Sequence, residues 1–176
     1  MRKLEKTLVL VGMMGAGKTS LGRRLATRLD VPFKDADHEI EVAAGLSVSE
    51  IFEKFGEPYF RDGERRVIAR LLTEPPHIMA TGGGAYMDPV TRAAMKEAAF
   101  TIWLKAPLEF LVARVKKRDT RPLLRGGDVR EKIEKLLQER EPVYAEADIT
   151  LECDTDSQAG AVDMIMEALI ARELVA

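Results

Sequence analysis

Short apolar runs alternate along the chain with longer segments that carry apolar residues every three or four positions. The runs predict five strands, at 7–11, 31–34, 77–81, 100–104 and 147–151. Helical spacing follows them, as with Leu21, Leu25 and Leu29 after the first run. Strands that alternate with helices from end to end predict a mostly parallel α/β sheet, and a length of 176 residues predicts a single domain at 1–176.

Composition narrows the class of protein. Hydrophobic residues make up 46% of the chain, enough for a full core. The 27 Lys and Arg residues stand against 29 acids, a net charge of −2, which argues against a nucleic-acid binder with a basic surface. Cys153 is the single cysteine, so no internal disulfide forms. Without an apolar run of 18 residues or a signal-peptide pattern, we expect a cytoplasmic protein with no membrane and no nucleic-acid partner.

Residues 12–19, Gly-Met-Met-Gly-Ala-Gly-Lys-Thr, match the phosphate-binding signature G-x-x-x-x-G-K-[ST] at every fixed position. A strand-like run precedes the match and a helical period follows it, which is the context that the signature requires. The glycines let backbone N–H groups form an anion nest at a helix N-terminus. Lys18 would reach the β- and γ-phosphates, and the Thr19 hydroxyl would ligate Mg²⁺. The alternative of an ordinary glycine-rich turn is disfavoured because both flanks fit.

Two aspartates, Asp35 and Asp37, come at the end of the second predicted strand. Ligands of open α/β sheets bind beyond the carboxyl ends of the strands, so these acids should face the phosphate loop. In extended chain, alternate residues point to one side, which would leave one carboxylate for Mg²⁺ and the other for a second substrate. Either aspartate could instead cap the next helix.

Three glycines, Gly82, Gly83 and Gly84, follow the third predicted strand. Such a run costs chain entropy and indicates a close approach of the backbone to something, for which a substrate is the favoured interpretation. A plain tight turn is the alternative. At the start of that strand His77 is expected at an edge or on the surface.

Arginines and lysines are concentrated in two places. Arg61 has Glu64 one helical turn away, which could pair with it, although spacing alone favours a solvated charged face. Basic residues also crowd the segment 115–127 and its start, where apolar positions are few. We interpret that segment as a mobile lid over the γ-phosphate, with a solvated basic loop as the alternative.

Taken together, these motifs resemble the shikimate kinases, members of the nucleoside-monophosphate-kinase-like group of P-loop proteins. The resemblance covers nearly the whole chain. It is carried by the phosphate loop at 12–19, Asp35-Ala36-Asp37, Phe60-Arg61 with Glu64, Thr81-Gly82-Gly83-Gly84, Arg121-Pro122-Leu123-Leu124, and Arg140 with Tyr144 before Ala147-Asp148. It implies a three-layer α/β/α fold of P-loop kinase type, with a five-stranded parallel sheet in the order 2-3-1-4-5. It also implies transfer of the ATP γ-phosphoryl group to the 3-hydroxyl of shikimate, in the pathway to chorismate and aromatic amino acids.

The resemblance also implies a role for particular residues. Asp37 would bind the shikimate hydroxyls and accept a proton, and Arg61 and Arg140 would clamp the carboxylate. Arg114 would stack on adenine, Arg121 on the lid would touch phosphate and substrate, and residues 36–72 would form the substrate-binding subregion. The implied site is catalytic at Asp37, Lys18 and Arg121; ATP-binding at Gly15, Ala16, Gly17, Lys18, Thr19, Ser20, Arg114 and Arg121; substrate-binding at Asp37, Arg61, Gly82, Gly83, Gly84 and Arg140; and metal-binding, for Mg²⁺, at Thr19 and Asp35.

Other functions remain open from the residues alone. The runner-up enzymes are a gluconate kinase and a nucleoside monophosphate kinase, although a nucleotide acceptor needs aromatic or amide groups where this chain offers arginines and glycines. A nucleotide-dependent switch that signals to a partner is a third possibility and predicts an exposed apolar docking face. The expected partners are the small molecules ATP and shikimate, and the protein is expected to be a monomer.

Overall fold

The protein is described by a computed structural model at residues 3–117, 127–153 and 158–176. Within these ranges five strands form one sheet. The strands are β1 (Thr7–Val11), β2 (Phe33–Asp35), β3 (Ile78–Ala80), β4 (Ala99–Lys105) and β5 (Ile149–Glu152). All five residues of β1 are buried, as expected for an apolar strand that is covered on both faces.

Every pairing in the sheet is parallel, and the order is β2-β3-β1-β4-β5. Leu8 in the central strand lies between Ile78 of β3 and Phe100 of β4. The implied strand order is therefore confirmed. It brings the carboxyl ends of β1, β2 and β3 to one edge, where the phosphate loop, the two aspartates and the three glycines follow their strands.

Helices cover both faces of the sheet and complete the three-layer α/β/α arrangement. They are α1 (Lys18–Leu29), α2 (Ala36–Ala44), α3 (Val48–Phe55), α4 (Glu57–Leu71), α5 (Pro89–Ala98), α6 (Leu108–Lys116), α7 (Val129–Tyr144) and α8 (Ala159–Ala171), with a 3₁₀ turn at Ala85–Met87. Ser47 and Glu50 form a capping box at the start of α3. None of the helices in the described ranges has the length and apolar character to span a membrane.

Two expectations about local structure are wrong. Asp37 does not continue the extended chain of β2, because the Asp35 side chain accepts hydrogen bonds from the N–H groups of Asp37 and His38 and so starts α2 at Ala36. His77 is not a surface residue and is only 1% exposed. Its Nδ1 lies 2.9 Å from the Pro75 carbonyl, and its backbone N–H donates to the Thr7 hydroxyl at the start of β1.

Candidate active site

The phosphate loop joins β1 to α1 in the geometry of an anion site. Gly15 and Gly17 have φ of 84° and 97°, a left-handed backbone region that glycine adopts readily. Gly17 is the N-cap of α1, and within the described residues neither a capping side chain nor an acid of the first turn takes up the exposed N–H groups. Those donors and the positive end of the helix dipole are therefore directed to the cleft.

Lys18 lies folded over its own loop. Its Nζ donates to the carbonyl of Gly12 at 2.6 Å and to that of Met13 at 2.9 Å, and the residue is 9% exposed. The ammonium group is thus held beside the N-terminus of α1. A phosphate that enters the loop meets this charge together with the backbone donors.

Asp35 serves two partners at once. One carboxylate oxygen caps α2, and the other accepts a hydrogen bond from the Thr19 hydroxyl at 3.2 Å. The alternative of a cap is therefore correct for Asp35, but it does not exclude the functional one. A hydroxyl and a carboxylate side by side are hard oxygen donors, the type that Mg²⁺ selects, and the pair fits a magnesium ion shared with a phosphate group.

Two clefts open at this edge of the sheet. The phosphate cleft is lined by Gly15, Gly17, Lys18, Thr19, Ser20, Asp35, Asp37, Thr81, Arg114 and Val115. The arginine cleft is lined by Met14, Asp37, Val48, Phe52, Phe60, Arg61, Glu64, Gly82, Gly83, Gly84 and Arg140. Asp37 belongs to both linings, so its carboxylate lies at the boundary between the two clefts.

Each of the three glycines makes room for one of the charged side chains that the sequence singles out. A Cβ atom at Gly82 would lie 2.9 Å from Oδ1 of Asp37. At Gly83 a Cβ would lie 2.8 Å from Nη1 of Arg140, and at Gly84 it would lie 2.5 Å from Nη2 of Arg61. The close approach predicted for this run therefore includes protein side chains, and the missing Cβ atoms let an aspartate and two arginines converge.

Arg61 is held in the arginine cleft by its own helix. Its Nη1 donates to Oε1 of Glu64 at 2.9 Å, and its Nη2 lies 3.4 Å from Oε1 of Glu57. Burial raises the pKa of the Glu64 carboxyl, and the Arg61 guanidinium opposes that rise. The predicted pairing with Glu64 is therefore present, and Arg61 lines a cleft instead of a solvated face.

Arg140 comes from α7 and is 6% exposed. Its Nη1 lies 3.9 Å from the Met13 sulfur, and within the part of the chain that the structure describes no carboxylate forms an ion pair with it. A buried guanidinium without a counter-charge is costly, which makes this position a strong attractor for an anion. Arg61 and Arg140 lie against neighbouring glycines and so present two guanidinium groups to one cleft.

The nucleotide side of the site continues beyond the phosphate loop. The Arg114 guanidinium lies 5.4 Å from the centre of the Phe110 ring, between the phosphate cleft and a further cleft that includes Ala16, Leu151 and Gln158. Gln158 accepts a hydrogen bond from the Ser20 hydroxyl at 2.9 Å and donates to the Gly17 carbonyl. Sequence reasoning missed this glutamine, because no motif links it to a loop that lies 138 residues away at Ser20.

Some expected parts of the site lie outside the described residues. These are Arg121 and most of the 115–127 segment. Sequence reasoning also gave no role in the site to Phe52 and Val48, which line the arginine cleft. The available signal was the Ser47-x-x-Glu50 capping pattern, which places both residues on a helix, but the relation of that helix to the cleft depends on the fold.

Comparisons with known proteins show which family the chain belongs to. The family model for shikimate kinase matches residues 14–171. A shikimate kinase of Caulobacter vibrioides is 56% identical over 164 residues, 93% of this chain and 82% of the relative, and one from Paramagnetospirillum magneticum is 51% identical over 168 residues, 96% and 86%. The structure of a shikimate kinase from Acinetobacter baumannii in complex with shikimate superposes with a TM-score of 0.92 at 36% identity, covering 96% of this chain and 95% of that one. The chain belongs to the shikimate kinase family.

Proposed function

We propose that this chain transfers the γ-phosphoryl group of ATP to the 3-hydroxyl of shikimate, giving shikimate 3-phosphate and ADP. The observation that carries the proposal is the position of Asp37, which lines both the phosphate cleft and the arginine cleft. Phosphoryl transfer asks a protein mainly to align donor and acceptor and to stabilise charge. A carboxylate at the boundary of two clefts can take the proton of an attacking hydroxyl that faces the γ-phosphate.

The donor side follows from the phosphate loop. The N–H groups of residues 15–20 and the Lys18 ammonium bind the β- and γ-phosphates, and Arg114 faces the nucleoside. Thr19 and Asp35 are the residues that would hold Mg²⁺, directly or through water. When bound, the ion neutralises charge on the bridging and terminal phosphate oxygens.

The acceptor side follows from the arginine cleft. Arg140 and Arg61 pair with the carboxylate of the acid substrate, because guanidinium forks match a carboxylate in shape and charge. The backbone of Gly82, Gly83 and Gly84 lines the ring, and Asp37 receives the reacting hydroxyl. Arg121 would add positive charge from the lid segment, and a monomer suffices because both clefts are built from one chain.

The direct test is a coupled ADP-release assay with shikimate, gluconate and a nucleoside monophosphate offered separately. Stimulation by shikimate alone is expected. Gluconate or the nucleotide as the better acceptor would replace shikimate in the proposal, and slow ADP release that no acceptor stimulates would indicate a nucleotide-dependent switch.

Arg140→Ala should raise KM for shikimate and leave KM for ATP nearly unchanged. The loss in kcat/KM for shikimate should correspond to roughly 1.5–3 kcal/mol, the free energy of one lost charged hydrogen bond.

A matched pair of variants tests the role of Asp37. Asp37→Asn keeps the shape of the side chain but removes the base, so turnover should fall at least about a hundredfold while ATP affinity is retained. Asp163→Asn, on the exposed side of α8, makes the same chemical change at a residue that lines neither the phosphate cleft nor the arginine cleft, and it should behave as wild type. Normal turnover of Asp37→Asn would remove Asp37 from the mechanism.

A further inference from the structure

Tyr144, the last residue of α7, is fully buried, and its hydroxyl donates a hydrogen bond to the carbonyl of Gly83. It is one helical turn after Arg140, so the two side chains emerge from the same face of the helix. A single helix end therefore contacts the middle glycine twice, through a charged side chain and through a hydroxyl.

Gly83 lines the arginine cleft and also lies close to the phosphate loop. A Cβ atom on this residue would lie 2.8 Å from Arg140 Nη1, 3.5 Å from the Met14 nitrogen and 3.7 Å from the Gly12 carbonyl oxygen. The glycine run thus packs directly against the phosphate loop at this residue. A shift of Gly83 would change both the place of Arg140 and the spacing between the acceptor side and the phosphate side.

The Tyr144 hydroxyl is a donor across the physiological range. Burial raises the pKa of Tyr144 to about 12, and the positive charges of Arg140 and Arg61 oppose this rise. The phenol is therefore neutral at pH 7 and keeps its proton for the Gly83 carbonyl. A buried carbonyl that lost this donor would be left without its hydrogen bond, which proteins avoid.

We propose that Tyr144 is a positioning residue for phosphoryl transfer: its hydroxyl fixes Gly83, and with it the alignment of the arginine cleft with the phosphate loop. This inference rests on the proposed function. Tyr144 lies in the lining of neither cleft and acts through Gly83 and Arg140. The aromatic ring has a separate packing contact with Trp103, at 5.8 Å between ring centres, so removal of the hydroxyl alone separates positioning from packing.

The test compares Tyr144→Phe with Tyr86→Phe. Tyr86 is equally buried and lies in neither cleft lining, and the Gly83 carbonyl accepts from Tyr144 and not from Tyr86, so Tyr86→Phe removes a buried hydroxyl without removing that hydrogen bond. For Tyr144→Phe, kcat/KM for shikimate should fall about three- to tenfold, the effect of one net hydrogen bond, while KM for ATP stays within twofold of wild type. Tyr86→Phe should keep both kinetic parameters, whatever its effect on unfolding.

Three results would overturn the inference. They are a shikimate kcat/KM of Tyr144→Phe within twofold of wild type, a rise in KM for ATP as large as the loss in kcat/KM for shikimate, and an equal loss in Tyr86→Phe. Should Tyr144→Phe fail to fold, 4-fluorophenylalanine at position 144 fills the space of the hydroxyl without donating, and 4-aminophenylalanine supplies a donor there. The inference requires that the amino variant be the more active of the two, and equal activity would contradict it.

Failure of the proposed function can be distinguished from failure of the positioning role of Tyr144. Wild-type protein is assayed first, and shikimate-stimulated ADP release must be present for Tyr144 to position anything. If shikimate has no effect on wild type, the proposed function fails. If wild type responds and the Tyr144 variants respond equally well, only the positioning role fails.

Discussion

Replacement of Gly84 by alanine isolates the close approach of the glycine run to Arg61. Gly84 has φ −92° and ψ −8°, a conformation open to alanine, so the backbone adds no strain. The new Cβ would lie 2.5 Å from Nη2 of Arg61 and 2.7 Å from its Cζ, far inside the 3.4 Å at which ordinary contact begins. The guanidinium must therefore move back by nearly an ångström, on the order of the misplacement that costs enzymes a hundredfold in rate.

The size of the effect follows from the contacts that Arg61 gives up. Moving the guanidinium stretches its 2.9 Å bond to Glu64 and removes it from the place where a carboxylate would be held. A hydrogen bond to a charged group is worth about 1.5–3 kcal/mol, so kcat/KM for shikimate should fall roughly 10- to 150-fold. Gly84 is absent from the lining of the phosphate cleft, and KM for ATP should change less than twofold.

The chain contains a matched control for this substitution. Gly63 lies inside α4, and no described atom comes within 4 Å of a Cβ built on it. Gly63→Ala should leave the kinetics unchanged and raise the free energy of unfolding by about 0.5–1 kcal/mol, as for glycine in a helix interior. Initial rates at varied shikimate and ATP, with urea unfolding of each variant, make the comparison. A folded Gly84→Ala enzyme with wild-type kcat/KM for shikimate would refute the role of the missing Cβ.

Three further substitutions test the titrating groups and the proposed magnesium site. Burial raises the pKa of Tyr144 to about 12, so its stabilising effect is complete below pH 10 and is lost as pH rises through 12. The unfolding free energy of wild type relative to that of Tyr144→Phe should therefore fall by about 2 kcal/mol from pH 9 to 12. Burial would raise the pKa of Asp88, but its hydrogen bonds with Arg65 and the first turn of α5 outweigh that effect and lower the pKa. Any stability advantage of wild type over Asp88→Asn should therefore vanish on acidification below pH 4. A difference in urea midpoints that stays constant below pH 4 would contradict this. Asp35→Asn keeps the cap of α2 but loses a charge. The Mg²⁺ concentration for half-maximal activity should therefore rise several-fold, with little change in the free energy of unfolding. An unchanged Mg²⁺ titration would remove Asp35 from the metal site.

Local patterns were enough to predict the layout of the chain. The strand before Gly12, the phosphate loop and the helix after it are consecutive in sequence, and their hydrophobic periods differ clearly. The order of the strands came only from the resemblance, because apolar runs do not state which strand is the neighbour of which. The parallel pairing of β1 with both β3 and β4 confirms that order.

Errors occurred where a short polar contact decides the structure. Asp35 ends a strand of three residues and caps the next helix, so Asp37 lies in a helical turn instead of extended chain. His77 is buried because Thr7, 70 residues earlier, and Pro75 supply hydrogen-bond partners. A hydrophobic pattern carries no information on such hydrogen bonds, since the groups that form them are polar and Thr7 is also distant from His77 in sequence.

The glycine run shows why residues can be found from sequence while their relation cannot. Entropy argues that three glycines must serve a close approach, but it does not say to which groups. Asp37, Arg61 and Arg140 are brought to three consecutive glycines by α2, α4 and α7. Side chains from three helices thus lie against one glycine run, and the middle glycine of that run, Gly83, accepts a hydrogen bond from the Tyr144 hydroxyl. Alignment of the two clefts is therefore a property of the glycine run and its support, which depends on tertiary contacts that no single motif contains.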